Sequence, residues 1–475
     1  MPESNSWYPR NTILCFSILC NALSAGGVFL FPLFAPELIF RLKLTQPQLT
    51  AIVWAGMAGQ YPFSSIVGKA IDKYGSRICS LAAALAFSVA FGLSAWEIKS
   101  ASDSLSLSND ASARRLTLYF AFLGLGTVLS YFSFVFAASK TFPAYISIAS
   151  GTTMALFGLS PLFLSSLAST FFTNSDSSLD IVSFLVFMTI FAGVSHLLGA
   201  VALDVPSTPS SEDHMRSSPA EDSEDVTDET TGLLQRQRCQ NEPQNGSVLD
   251  LLRHLSFWIL CLYLIMTLGT CEMVFSNVGT IVLSLPSRVS YLSMTTDSPG
   301  SAQVKILSIS NTLSRLLVGP LADFLSPAVA FVPVDGVNTL RRHWISRVAF
   351  LSFAATALAA TCSWMLFGVQ TQQDIWVLSI GTGLVYGCIF TVLPSITCSI
   401  WGMPNLARNF GIITYSPFVG TTVYSYLYVI ARSSSPENIC YDRTCWELTF
   451  WICFATSLGS LALSLILWKS WKGML

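Results

Sequence analysis

Long apolar runs separated by short polar segments set the pattern of this chain. A helix needs about 20 mostly apolar residues to cross about 30 Å of hydrocarbon, where no water is available to bond the backbone. Twelve runs reach that length: 11–35, 48–67, 78–96, 116–138, 147–169, 181–203, 255–285, 304–322, 347–369, 375–397, 408–431 and 447–468. The eighth is the most polar, interrupted by Ser308, Ser310, Asn311, Ser314 and Arg315. The pattern predicts an all-α polytopic membrane protein with twelve transmembrane helices, and a lipid bilayer as its solvent.

Composition agrees. Hydrophobic residues make up 52% of the chain and charged residues 11%, with a mean hydropathy of +0.57; a soluble domain carries about 25% charged residues. An even number of spans puts both termini on one side. With the amino terminus in the cytosol, the cytosolic segments hold fifteen Lys and Arg and the opposite side nine, as the positive-inside rule asks, although Arg114 and Arg115 fall on the other side. No cleavable signal peptide is expected, because a short polar lead runs straight into a span long enough to stay in the membrane. The net charge of −2 says nothing about partners, and no nucleic-acid partner is expected.

A motif is written twice. Gly68-Lys69-Ala70-Ile71-Asp72 follows the second span and Gly319-Pro320-Leu321-Ala322-Asp323 the eighth, an offset of 319 − 68 = 251 residues. Gly124 and Gly126 in span four answer Gly381 and Gly383 in span ten (381 − 124 = 257), and Pro161 answers Pro417 (417 − 161 = 256). Repeats at such similar offsets predict two homologous six-helix bundles in one chain, over 1–205 and 254–475, the architecture of a transporter. The acidic segment 206–253 between them is expected to be a disordered cytosolic loop. From Pro206 to Ser247 it carries nine acids, three bases and no aromatic residue, too little apolar surface to offset the entropy of ordering. Glu229, Leu233 and Leu234 within it read as an acidic dileucine sorting signal for a sorting adaptor, or as a chance pair in a linker.

The chemistry of other classes is missing. The sequence holds no phosphate-binding Gly-x-x-x-x-Gly-Lys loop, no nucleophile elbow and no Cys/His cluster at metal spacing, so no enzyme activity, cofactor or metal is expected. Most of the twelve cysteines sit in spans as small apolar residues. Cys440 and Cys445, beside the last non-cytosolic loop, are candidates for a bridge in an oxidising lumen. His196, the one histidine in a span, reads as a hydrogen-bonded packing residue.

Gly68 to Arg77, with Gly68, Asp72, Gly75 and Arg77 in register, resembles the loop signature of the major facilitator superfamily. The second copy keeps Gly319 and Asp323 but lacks the later glycine and arginine, which predicts a weaker lock there. Gly269-Thr270-Cys271-Glu272-Met273 through Gly279, Tyr386-Gly387 with Pro394, and Arg408-Asn409-Phe410-Gly411 with Pro417 and Gly420 resemble the nodulin-like branch. Together they are most similar to the fungal proteins called probable monocarboxylate-transporter homologues. That resemblance implies a vacuolar membrane and a secondary transporter. Gly68, Asp72, Gly75, Arg77, Gly319 and Asp323 are then its conformational gate, with Asp72 reaching the neighbouring bundle when the cytosolic side is shut.

Charges inside a span usually face a cavity or a partner. Asn311, Arg315, Gly319 and Asp323 recur every four residues on one helix face, with Arg315 about 12 Å deeper than Asp323. The run resembles the eighth span of monocarboxylate transporters, where an arginine anchors a substrate carboxylate; here Asn311 stands where that family has an acid, and span one lacks its lysine. Glu272, near the middle of span seven, suits reversible protonation. A structural ion pair or snorkelling would equally account for Arg315, and a paired or neutral acid for Glu272. The substrate-binding candidates are Arg315, Asn311, Glu272 and Asn277. The expected function is alternating-access transport of a small-molecule substrate, an organic anion, with protons as candidate coupling ion. A non-transporting membrane nutrient receptor of the same fold is the alternative.

Overall fold

The computed structural model describes residues 7–44, 46–103, 109–142, 145–172, 179–203, 248–286, 299–326, 345–433 and 443–472. Its first half holds α1 (Trp7–Ser24), running through a 3-10 turn into α2 (Phe31–Leu42), then α3 (Gln46–Gln60), α4 (Ser64–Tyr74), α5 (Ser76–Asp103), α6 (Asn109–Thr141), α7 (Ile146–Phe171) and α8 (Ile181–Ala202). A short α9 (Val248–Arg253) leads into α10 (Leu255–Leu283), α11 (Pro299–Leu325), α12 (Val348–Phe367), α13 (Trp376–Trp401), α14 (Leu406–Ile413), α15 (Tyr415–Ser433) and α16 (Glu447–Ser470). Residues 248–253, read above as part of a disordered loop, are therefore helical. The rest of that loop, with Glu229, Leu233 and Leu234, lies outside the described residues.

Helices cover all twelve predicted spans. Among the described residues, nine are long and apolar enough to cross a membrane. The other three are predicted spans two, eight and eleven, and each has a reason. Span eight is one helix, α11, but a polar one. Spans two and eleven are each split in two. Pro62 has no amide hydrogen and its ring crowds the carbonyl four residues back, so α3 stops and α4 restarts after the turn Tyr61-Pro62-Phe63. Pro417 acts in the same way on Ile413, so that one residue, Thr414, separates α14 from α15.

Packing repeats between the halves. Helix α5 packs on α8 as α12 does on α16; α3 packs on α6 as α11 does on α13; α1 packs on α7 as α10 does on α15. The two bundles meet along α7–α11, α4–α14 and α7–α13. The paired glycines of spans four and ten sit at the equivalent crossings, but shifted. A Cβ on Gly124 would lie 1.9 Å from Gly56 O of α3, and one on Gly383 2.7 Å from Leu307 O of α11. Gly381 instead faces Thr361 of α12. The structural partner of Gly124 is thus Gly383, at 383 − 124 = 259 residues, two more than the sequence pairing suggests.

His196 is fully buried, its Nδ1 donating to Ala192 O at 2.7 Å and its Nε2 2.6 Å from Ser130 Oγ. It is a packing residue of the first bundle. Cys445 is disulfide-bonded, and Cys440 lies outside the described residues.

Candidate functional site

Two carboxylates close one end of the molecule, each reaching from its own bundle to the start of a helix in the other. Asp72, near the end of α4, accepts the Arg408 amide of α14 on Oδ2 at 2.8 Å and Lys140 Nζ on Oδ1 at 3.2 Å. Asp323, near the end of α11, accepts the Ile148 amide of α7 on Oδ2 at 2.8 Å and the Ser147 amide on Oδ1 at 3.3 Å. The first amides of a helix have no partner within it and carry its positive dipole end, so a carboxylate there is held by both. The motif glycines permit this approach. A Cβ on Gly68 would lie 2.2 Å from Ala407 O, and one on Gly319 2.8 Å from Ser147 O. Gly75 ends α4 at φ +82°, a left-handed conformation that favours glycine.

Arg77 donates to Val201 O of α8, inside its own bundle. The arginine missing from the second copy is supplied across the next loop. Arg347, buried before α12, bonds Asp323 Oδ1 at 3.3 Å and donates to Ser326 O. Its sequence distance from Asp323 hid it among the other basic residues outside the motif.

From Asp72 a seam of contacts runs inward between α4 and the α14–α15 break. Ser64 Oγ donates to Gly411 O, Thr414 Oγ1 to Ser64 Oγ, and Tyr415 to Pro62 O. It ends at Tyr61, whose ring stacks on Phe418 with centroids 5.5 Å apart. There the Tyr61 hydroxyl donates across the bundle boundary to Glu272 Oε1 at 3.2 Å.

Glu272 owes its position to two glycines. Gly269 and Gly420 bring α10 and α15 into backbone contact, a Cβ on Gly269 lying only 2.6 Å from Gly420 C. That sets Glu272 beside Thr421, which contacts Oε2, while Tyr386 of α13 donates to Oε1 at 3.1 Å. The same tyrosine presents its ring to the Arg315 guanidinium, 5.7 Å from the centroid, with Phe390 at 5.8 Å. Acid and base therefore share Tyr386 without forming an ion pair.

Arg315 is buried between the bundles. Its Nε donates to Asn311 Oδ1 at 3.0 Å and its Nη1 crosses to Met154 O of α7 at 2.9 Å. Both acceptors are neutral. Asn311 orients the guanidinium as an aspartate would, yet leaves its charge uncompensated. Nη2 makes no hydrogen bond among the described residues, and it forms one edge with Nε; a carboxylate displacing Asn311 would meet that edge with two bonds.

Of the four predicted binding residues, the structure brings Arg315 and Glu272 to Tyr386, with Asn311 held to Arg315. Asn277 turns its amide back to Met273 O of its own helix. Tyr61, Tyr386, Thr421, Arg347 and Lys140 were missed as site residues. The proline after Tyr61 and the aromatic at the span-ten Tyr386-Gly387 were visible, but nothing local says that either hydroxyl seeks Glu272.

The sequence profile of the Major Facilitator Superfamily matches residues 14–414. Among curated relatives, the "Probable transporter MCH1" of Gibberella zeae is 29% identical over 95% of this chain and 88% of that protein. The protein of the same name from Saccharomyces cerevisiae is 27% identical over 87% and 82%. Among solved structures, the proton:xylose symporter XylE bound to 6-bromo-6-deoxy-D-glucose superposes with a TM-score of 0.64 at 13% identity, covering 97% of this chain and 95% of its own. FucP in the outward conformation gives 0.55 at 12% identity, covering 94% and 98%. At such identities these structures speak for the fold alone. With two six-helix bundles bridged at a repeated motif, and a profile match over most of its length, the chain belongs to the major facilitator superfamily as a multi-pass membrane transporter.

Proposed function

We propose that this transporter moves a small organic anion by alternating access, with Arg315 anchoring the carboxylate and Glu272 carrying the coupling proton. The observation behind this reading is the buried Arg315 guanidinium, held between the bundles by two neutral oxygens and two aromatic faces. A buried cation is costly unless compensated, and an anionic substrate supplies the compensation. The lock end then faces the cytosol with both termini, as the distribution of Lys and Arg suggests, and the opposite side is the one from which substrate enters this state.

Lysine offers a point charge without the planar pair of donors. Arg315→Lys should therefore fold and reach its membrane but lose about 10–100-fold in apparent affinity, the value of one charged hydrogen bond. The measurement is uptake into proteoliposomes of the metabolites whose vacuolar levels change when the protein is removed. Near-normal uptake by the lysine variant would sink the anchor role; stabilisation by a metabolite without flux would favour the receptor reading.

The resemblance to vacuolar proteins and the Glu229, Leu233, Leu234 signal support a vacuolar membrane reached through a sorting adaptor. Leu233→Ala with Leu234→Ala should move the protein to another membrane at unchanged abundance, read by fractionation. Unaltered vacuolar residence would remove the signal.

A further inference from the structure

We propose that Tyr61 is a proton-sensitive latch: its hydroxyl holds ionised Glu272 across the bundle boundary and loosens when Glu272 takes up a proton. This rests on the alternating-access reading and adds to it a residue and a mechanism.

The hydroxyl arithmetic carries the argument. Glu272 accepts from Tyr61 and Tyr386 on Oε1 and meets Thr421 on Oε2. Thr421 has one proton and two acceptors, because its Oγ1 is also 2.8 Å from Pro417 O. When Glu272 is ionised, Thr421 donates to it. When a proton sits on Oε2, the carboxyl donates to Thr421, and Thr421 turns its own proton to Pro417 O. Both states leave every group on that side satisfied, so Oε2 is where the proton is received. Oε1 then remains an acceptor, but of a neutral carboxyl, and hydrogen bonds to an ionised acceptor are about twice as strong as neutral ones.

Of the two bonds weakened, Tyr386 lies in the same bundle as Glu272; Tyr61 lies in the other. The loss is therefore felt at the boundary. Tyr61 is also the innermost stitch of the seam that continues through Ser64 and Gly68 to Asp72. Weakening it frees the inner end of the closed seal.

The titratable and charged groups around Glu272 are consistent with a single proton acceptor. They are Tyr61, Tyr386, Arg315 over the Tyr386 ring, Tyr131 of α6 beside Tyr61 and Arg315, and Cys271 on its own helix with Cys453 of α16 near it. No cation bonds Glu272 among the described residues, so a change of its charge is not absorbed by a fixed partner.

The test is hydrogen exchange of the full-length protein in proteoliposomes, without substrate, at neutral and mildly acidic pH, corrected for intrinsic exchange. Amides of α4 and α14 report the seal, and those of α5 and α8 report general stability. In the wild type, acidification should speed exchange in α4 and α14 about tenfold, with α5 and α8 unchanged. Glu272→Gln should exchange at the acid rate at both pH values. Tyr61→Phe, which keeps the ring stacked on Phe418, should lose the pH step, and the double variant should add nothing further. A pH step retained in Tyr61→Phe, additive effects in the double variant, or no step in the wild type would each overturn the latch. Failure of Arg315 to bind an anion would overturn the substrate reading and leave these exchange results standing.

Discussion

Asp72 bonds the amide of Arg408, the third residue of α14, and Asp323 bonds that of Ile148, the third residue of α7. Each carboxylate caps a helix of the opposite bundle, from the same motif position, beside a glycine that lets the backbones touch. What differs is the cation. Lys140 at Asp72 keeps 21% of its side chain exposed, whereas Arg347 at Asp323 keeps 1%. The two caps are alike in what they hold and unlike in how exposed their cation is. Lys140 already borders water, whereas Arg347 is enclosed by protein. The second copy, which lacks the later arginine of the motif, holds the more deeply buried ion pair.

The same substitution at both positions separates these cases. Asp323→Asn keeps an oxygen for the α7 amides but leaves Arg347 buried without a counter-charge, a loss of about 3–5 kcal/mol. It should lower the thermal midpoint of the purified protein and its abundance in the membrane; an unchanged midpoint would mean that Arg347 finds water. Asp72→Asn should cost about 1 kcal/mol, the value of a charged helix cap. Expression should stay near normal while a thiol probe gains access to the space between the bundles from the Asp72 end, and equal access in both proteins would refute a gating role. Lys140→Ala removes a partly exposed partner worth about 0.2–1 kcal/mol. Its effect on probe access should be smaller than that of Asp72→Asn and should vanish at high salt. If it equals Asp72→Asn, the ion pair rather than the helix cap is the lock.

The candidate site divides along the same line. Arg315, Asn311 and Glu272 were legible because charge and amide groups inside apolar runs are expensive and therefore conspicuous. Tyr61, Tyr386 and Thr421 were not, since a tyrosine or threonine in a membrane helix is ordinary until its hydroxyl is seen to end on a carboxylate. Asn277 shows the converse: a polar residue in the right span whose amide is satisfied by its own helix.

Long apolar runs determined by themselves that the chain is helical and spans a membrane, because lipid offers the backbone no other way to satisfy its hydrogen bonds. The repeated motif determined that it has two halves and pointed to where they meet. The breaks of spans two and eleven follow from Pro62 and Pro417, which the sequence displays. Tertiary structure alone decided which bundle supplies each partner: Arg408 for Asp72, Ser147 and Ile148 for Asp323, Tyr61 for Glu272, Met154 for Arg315. Those contacts join residues separated by up to several hundred positions, and hydrogen bonding is set by distance in space, which no local pattern encodes.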